Sequence, residues 1–470
     1  MTEIFEMSAE ELLDAYRDKK LSPVEVTRSL LDRIEEINPK LNAVVTLTAE
    51  DALKRAEEAE KAYAGGGEVG RMEGIPIAIK DNTFTAGVRT TYGSKLYEDF
   101  VPEEDAVLVE RVKGEGGVIL GKTNLPEMGL IPVTDSPIFG PCCNPWSLEC
   151  TSGGSSGGAA AGVAAGLYPF AQGNDGGGSI RIPSALCGVF GLKPTYGRIP
   201  IYPHLPGWET LNHEGPIARR VEDAALLLDV MAGYDIRDRH SLPSVEYSFR
   251  EAMRGEVKGM KLAYSPDLGY APAVEPEVRE LARQAALAFE GMGCEVDEID
   301  PGLPNLEPDL LVQVICETVT ANEDRLEEWQ KVAFPLYLPF LDLIGVYKPN
   351  DVIRVQFRRE ELWDKLRPVF ERYDLLLCPT SAVTAFKLEP PGPLGPMVID
   401  GQDVGPLAWM SYTFPFNFTG QPAGSVPCGM SSDGLPVGLQ LVGRMYDEVS
   451  ILRAAAALEQ ARPWPFPEKV

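Results

Sequence analysis

One lysine and a few serines set among glycines are the residues of this chain best suited to chemistry. Cys150 to Gly197 contains two glycine clusters that each hold serine, Gly153-Gly154-Ser155-Ser156-Gly157-Gly158 and Gly176-Gly177-Gly178-Ser179. Glycine lets backbone N–H groups come close to a bound group and tolerates unusual dihedrals. A serine beside several free N–H groups has the makings of a nucleophile with an oxyanion hole. Such a serine needs a base, and Lys80 ends the apolar run Ile75-Pro76-Ile77-Ala78-Ile79. The common fate of a strand-end lysine is to reach solvent as an ammonium ion. To act as a base its amine must be neutral, and burial moves it that way. From an ordinary pKa of ~10.4, a fall of about three units costs roughly 4 kcal/mol at about 1.36 each. Only a desolvated pocket supports that, and Ile77, Ile79 and the glycine clusters can supply one.

Other motifs compete for the same residues. Gly153-x-Ser155-x-Gly157 fits the nucleophile elbow of α/β-hydrolases, which follows a strand and needs an acid and a histidine downstream. Asn144-Pro145-Trp146-Ser147 is a poor strand, and His204, His213 and His240 are the histidines on offer. Gly116 to Thr123 fits the phosphate-loop expression, but Val118-Ile119-Leu120 reads as a strand inside the motif and Pro126 follows closely. Gly65-x-Gly67-x-x-Gly70 precedes any strand and reads as a loop.

The elements that must position these residues are legible in outline. Ser8 with Glu11 forms a capping box, and Ser22-Pro23-Val24-Glu25 adds proline at a first helical position. Val26, Leu30, Leu31 and Ile34 mark one helical face, and a third helix is predicted over Glu50 to Tyr63. Ile75 to Ile79 reads as a buried strand, Glu104 to Lys113 as a helix and Val118 to Leu120 as a short strand. Ala159 to Leu167 is small and apolar and predicts a buried helix that starts at the first cluster. Lys261 to Ser265, Pro276 to Glu290 and Cys294 to Ile299 form a βαβ unit. Tyr373 to Cys378 and Val437 to Val442 are further strands, and Val449 to Gln460 is a closing helix. Alternating strands and helices imply an α/β fold with a mixed, mostly parallel sheet between helical layers. Pro390 to Pro396 reads as a loop, with no linker or repeat to divide the chain of 470 residues.

Composition narrows the function. A net charge of −27 disfavours nucleic acid, whose phosphates it repels, and also anionic lipid. No run approaches the ~18 apolar residues of a membrane span, and the first residues lack the pattern of a signal peptide. The eight cysteines are dispersed without a CxxC pair, as in a reduced, cytoplasmic protein. With three histidines, neither a metal nor a cofactor is expected.

Together, Gly74-Ile75-Pro76-Ile77-Ala78-Ile79-Lys80-Asp81-Asn82 and the two serine clusters resemble the amidase signature hydrolases, with high specificity from about Gly74 to about Arg220. The resemblance implies one domain over 1–470. N-terminal helices (1–70) pack on a signature core (71–220), and a variable region (310–418) supplies much of the substrate pocket. It implies a Ser–cis-Ser–Lys triad of Ser179 as nucleophile, Ser155 as bridge and Lys80 as base. Ser155 and Ser179 stand 24 residues apart, the family's spacing. The Gly154–Ser155 peptide is expected to be cis. Ser156 is the second choice for the bridge. The backbone N–H groups of Gly176, Gly177, Gly178 and Ser179 are the expected oxyanion hole, although many members carry threonine or isoleucine where Gly176 stands. Asp175 and Arg181 are expected to pair and hold that loop.

Trp208 to Pro216, Asp238 to Pro243 and Asn174 to Ser179 most resemble the branch holding the 6-aminohexanoate cyclic dimer hydrolase and the related bacterial amidases and urethanases. Candidate substrate contacts are Cys316, Phe334 and Tyr337. The segment Phe334-Pro335-Leu336-Tyr337-Leu338-Pro339-Phe340 reads equally as lid or core. The implied activity is hydrolysis of a linear amide or a carbamate of small size, by a chain compatible with a homodimer. The alternatives are a glutamine-hydrolysing A-type component of an amidotransferase and a catalytically silent scaffold.

Overall fold

The capping boxes form as the sequence predicts. Ser8 Oγ accepts from the Glu11 N–H at 3.1 Å while Glu11 Oε2 accepts from the Ser8 N–H at 2.7 Å, opening α1 (Ala9–Arg17). Ser22 and Glu25 repeat the arrangement at α2 (Pro23–Leu41), whose Val26, Leu30, Leu31 and Ile34 are buried. These helices and α3 (Ala49–Gly65) precede the first long strands. The computed structural model describes residues 3–66, 68–204, 210–388 and 394–467. The glycine loop at Gly67, the Trp208-Glu209 part of one branch-like segment and residues 390–393 of the proline-rich loop lie outside the described residues.

The core is an eleven-stranded sheet. In chain order its strands are β1 (Val44–Leu47), β2 (Pro76–Lys80), β3 (Val118–Thr123), β4 (Phe170–Asp175), β5 (Phe190–Lys193), β6 (His213–Ala218), β7 (Lys261–Tyr264), β8 (Glu295–Glu298), β9 (Leu375–Pro379), β10 (Ala423–Met430) and β11 (Pro436–Gly443). Across the sheet they run β1-β3-β2-β4-β6-β5-β10-β11-β9-β7-β8. β2 is parallel to β3 and β4, and β7 is parallel to β8 and β9. Between these parallel flanks the pairings are antiparallel, so the sheet is mixed. Every residue of β2, β4, β5, β6, β9 and β11 is buried, as strands covered on both faces must be. One apolar cluster runs from Ala9 to Leu458.

The expected helix after the first cluster is α5 (Gly157–Ala164), following α4 (Val107–Gly114) in chain order. α5 is buried on all sides. Only small residues let it sit this deep. A Cβ at Gly158 would lie 2.4 Å from the Asn124 nitrogen, and one at Gly162 would lie 1.9 Å from the Tyr168 hydroxyl. β3 extends through Lys122 and Thr123, so the phosphate-loop-like motif is itself strand. Beyond β4 come α6 (Arg181–Cys187) and, after β6, α7 (Val221–Met231). The predicted βαβ unit is β7, α8 (Pro276–Ala288) and β8. α9 (Glu307–Ala321), α10 (Leu326–Val332) and α11 (Pro349–Arg372) then follow, and a smaller apolar cluster gathers around Ile315, Val319, Trp329 and Leu341. α12 (Glu448–Ala461) closes the chain.

Candidate active site

Lys80 is the last residue of β2 and is fully buried. Its Nζ lies 2.7 Å from Ser155 Oγ, 2.9 Å from Ser156 Oγ and 2.7 Å from Asn174 Oδ1. All three partners are neutral. Burial drives its amine from an ordinary pKa of 10.5 to about 7, against the opposing pull of the Glu214 and Asp175 charges. Ser155 and Ser156 come from the turn that enters α5, and the Gly154–Ser155 peptide is cis. Asn174 comes from β4, and its Nδ2 donates to Asn82 Oδ1 at 2.9 Å. In the sequence Asn174 stands out only by resemblance. Its role as a lysine partner is visible only once β4 lies against β2.

Ser179 follows β4 and is half-buried among fully buried neighbours. The Ser156 N–H donates to the Ser179 carbonyl at 3.1 Å, which ties the two serine clusters together. The loop between β4 and α6 is wound round Asp175. Its carboxylate accepts from the Gly178 N–H at 2.7 Å and the Ile180 N–H at 3.1 Å, and pairs with Arg181 at 2.9 Å with both side chains fully buried. Arg181 also donates to the Thr413 carbonyl, Gln440 Oε1 and Asn417 Oδ1. Burial pushes the Asp175 carboxyl up, but the Arg181 charge and hydrogen bonds outweigh it and hold it well below the usual carboxylate range. The expected Asp175–Arg181 pair is therefore present. Of the four N–H groups expected to form the oxyanion hole, that of Gly178 donates to Asp175 Oδ1. Gly178 is still required, since its φ is +133° and a Cβ there would lie 2.3 Å from Thr413 Oγ1.

The histidines do other work. His213 Nδ1 lies 2.7 Å from the Leu211 carbonyl, and burial together with the Lys193 charge keeps its pKa well below the usual value. His204 and His240 pack edge-on against Tyr202 and Tyr196. Among the described residues no group of three or more His, Cys, Asp or Glu side chains is placed to hold a metal ion.

An apolar cavity, whose roughly 510 Å3 of empty space includes open solvent, has Pro132 in its lining, and a Cβ at Gly154 would lie 2.9 Å from the Pro132 carbonyl carbon. Leu130, Ile131 and Pro132 line it just beyond Gly129, where a Cβ would lie 3.3 Å from Ser155 Oγ. Leu311, Val314 and Ile315 of α9 form the opposite wall, next to Leu310, which lies 3.8 Å from where a Gly177 Cβ would stand. The hydroxyls of Thr318 and Tyr337 are buried in this lining without a hydrogen-bond partner. Of the three substrate contacts read from sequence, only Tyr337 lines the cavity. Phe334 stands behind it, with ring centroids 6.2 Å apart, and gives its N–H to Glu127 Oε2 at 2.8 Å. Cys316 is half-buried on α9 and is not among the lining residues. Glu127 also accepts from Trp329 Nε1 at 3.0 Å, which clamps this wall to the core, a role the sequence does not signal.

The profile of the Amidase family matches residues 25–452. The chain belongs to the amidase family. It is 39% identical to an acylamidase of Rhodococcus erythropolis over 97% of this chain and 96% of that one. It is also 39% identical to the A component of the glutamyl-tRNA(Gln) amidotransferase of Moorella thermoacetica, over 98% and 97%. A bacterial aryl acylamidase structure superposes with a TM-score of 0.92 at 34% identity, covering 97% of this chain and 96% of the other. The 6-aminohexanoate cyclic dimer hydrolase structure superposes with 0.89 at 30% identity, covering 100% and 99%. This amidase is accordingly a hydrolase of carbon–nitrogen amide bonds. No helix among its described residues is long and apolar enough to cross a membrane.

Proposed function

We propose that this amidase hydrolyses small, largely apolar amides through Lys80, Ser155 and Ser179. The observation that carries the proposal is the buried Lys80 amine on Ser155 Oγ. A count of protons supports the roles. Asn174 Oδ1 can only accept, so it takes one N–H from Lys80. The Ser156 hydroxyl donates to the Asn174 carbonyl at 3.1 Å, so its oxygen accepts the second lysine N–H. A neutral amine then has only its lone pair left, and that faces the Ser155 hydroxyl. Ser155 rather than Ser156 is therefore the bridge. Lys80 takes the Ser155 proton as Ser155 takes that of Ser179, whose Oγ attacks the amide carbonyl. The backbone N–H groups of Gly176, Gly177 and Ser179 receive the oxyanion, each such donor being worth about 2.7–4 kcal/mol. The proton returns through Ser155 to the leaving amine, and water frees the acyl group from Ser179. No cofactor has a part in these steps.

The cavity supports the substrate class. Its walls suit an aryl or branched alkyl group, and the unpartnered Thr318 and Tyr337 hydroxyls suit one hydrogen-bonding atom on that group. Amide and carbamate fit this pocket equally. A second reading, glutamine hydrolysis for a partner chain, follows from the amidotransferase relatives. It fits the cavity less well, because a glutamine α-amine and α-carboxylate need charged partners and these walls are apolar. The test is a hydrolysis panel of aryl amides, aliphatic amides, carbamates, nylon oligomers and glutamine, run beside Ser179→Ala. Turnover of apolar amides or carbamates that Ser179→Ala abolishes is expected. Activity on glutamine alone, or activity retained in the variant, overturns the reading.

A further inference from the structure

β4 and β6 bring polar side chains together behind Lys80. Gln172 and Asn174 are two residues apart on β4 and so share a face. Glu214 on β6 stands directly opposite Asn174. Asn174 holds the lysine amine, and Gln172 Oε1 accepts the lysine's own backbone N–H at 2.9 Å. With its oxygen used in this way, the Gln172 amide turns its nitrogen to Glu214 Oε2. A carboxylate only 3% exposed thus sits one side chain behind the proposed base, and the proton relay gives it no task.

We propose that Glu214 is a positioning residue for Lys80: it fixes Gln172, Gln172 fixes the end of the lysine's strand, and the carboxylate's charge sets the pH at which the lysine becomes a base. The proposal rests on the base role given to Lys80 above. Burial pushes the Glu214 carboxyl up to about 7, opposed by the Gln172 hydrogen bond and the Lys80 charge. The two groups therefore titrate over the same range and each feels the other's proton. The remaining ionisable groups around them are separately engaged. Asp175 on β4 is paired with Arg181 from α6. On β5, Lys193 donates to the Gln421 carbonyl, and burial depresses its amine. On β6, burial depresses His213. Asp81, next to Lys80, accepts from Thr91 and feels the charge of Lys122 on β3.

The test is the rate at which a fluorophosphonate labels Ser179 as a function of pH, which needs no amide substrate. The Ser179 oxygen bonds to phosphorus, the P–F bond breaks with fluoride taking the electron pair, and the serine proton passes through Ser155 to Lys80. In the wild-type chain the rate is expected to rise through about pH 7 to a plateau. Glu214→Gln removes the charge that favours the ammonium form, so its midpoint should fall by about half to one pH unit. A midpoint that stays in place or rises overturns the proposal. Glu214→Asp keeps the charge but withdraws it from Gln172. Its midpoint should match the wild type while its plateau drops severalfold, and a wild-type plateau overturns the positioning half. Should Glu214→Gln fail to fold by circular dichroism, Glu214→Met, which also removes the charge, is read by the same midpoint criterion, and Glu214→Asp decides the positioning half by its plateau. Wild-type Ser179 that never labels overturns the Lys80 reading itself, a result distinct from a labelled enzyme whose Glu214→Gln profile does not move.

Discussion

As the proposed base, Lys80 works only without its proton, and its surroundings decide when that is so. Burial lowers its pKa to about 7, and the charges of Glu214 and Asp175 limit the fall. The base form therefore grows as pH rises through 7. On an apolar aryl amide, kcat/KM should drop about tenfold per pH unit below 7 and level off above it. A flat acid limb would remove the neutral lysine from the mechanism. Lys80→Ala should lose about 10²–10⁴-fold in kcat at pH 8, the usual range for a positioned base. Stability responds with the same sign. Between pH 7 and 10.5 the unfolded chain holds a proton on this lysine that the folded chain has released, so stability rises with pH across that window. The penalty is complete below pH 7.

At the scale of elements, the loop from β4 into α6 is held from one point. Asp175 gathers two loop N–H groups and Arg181, and Arg181 reaches Thr413, Asn417 and Gln440. Asp175→Asn would leave the Arg181 guanidinium buried and unpaired. It should cost about 3–5 kcal/mol, read as a lower midpoint in urea unfolding. A loss under about 1 kcal/mol would put it in the range of an exposed pair and contradict the anchoring role. Under the proposed function, the cavity wall on α9 should set specificity in the same local way. Val314→Trp fills the space, so KM for a bulky aryl amide should rise at least tenfold more than KM for acetamide. An equal change in both would place the substrate elsewhere. Elements marked by caps or long apolar runs, such as α1, α2, α5 and β2, are legible in sequence. β4 is not, because Phe170-Ala171-Gln172-Gly173-Asn174-Asp175 lacks the β-branched residues that announce a strand, and burial between β2 and β6 decides it.

At the scale of the molecule, one sheet carries both Lys80 and the strand that leads into the Asp175 anchor, and the relatives include an acylamidase and amidotransferase components alike. Expressed alone and purified, the chain should be fully active on apolar amides, and adding amidotransferase partner chains should not raise its glutaminase rate. A partner-dependent glutaminase activity would favour the second reading. What the sequence by itself determined is the family and the candidates for its chemistry: Lys80, Ser155 and Ser179 stand out because glycine clusters and an apolar strand end are local patterns, read along a few residues. The tertiary structure alone decided that Ser155, Ser156 and Asn174 surround the Lys80 amine, that the Gly178 N–H donates to Asp175, and that Gln172 and Glu214 stand behind that lysine. Those outcomes depend on hydrogen-bond partners from different strands, and on burial that no single segment possesses until the sheet has formed.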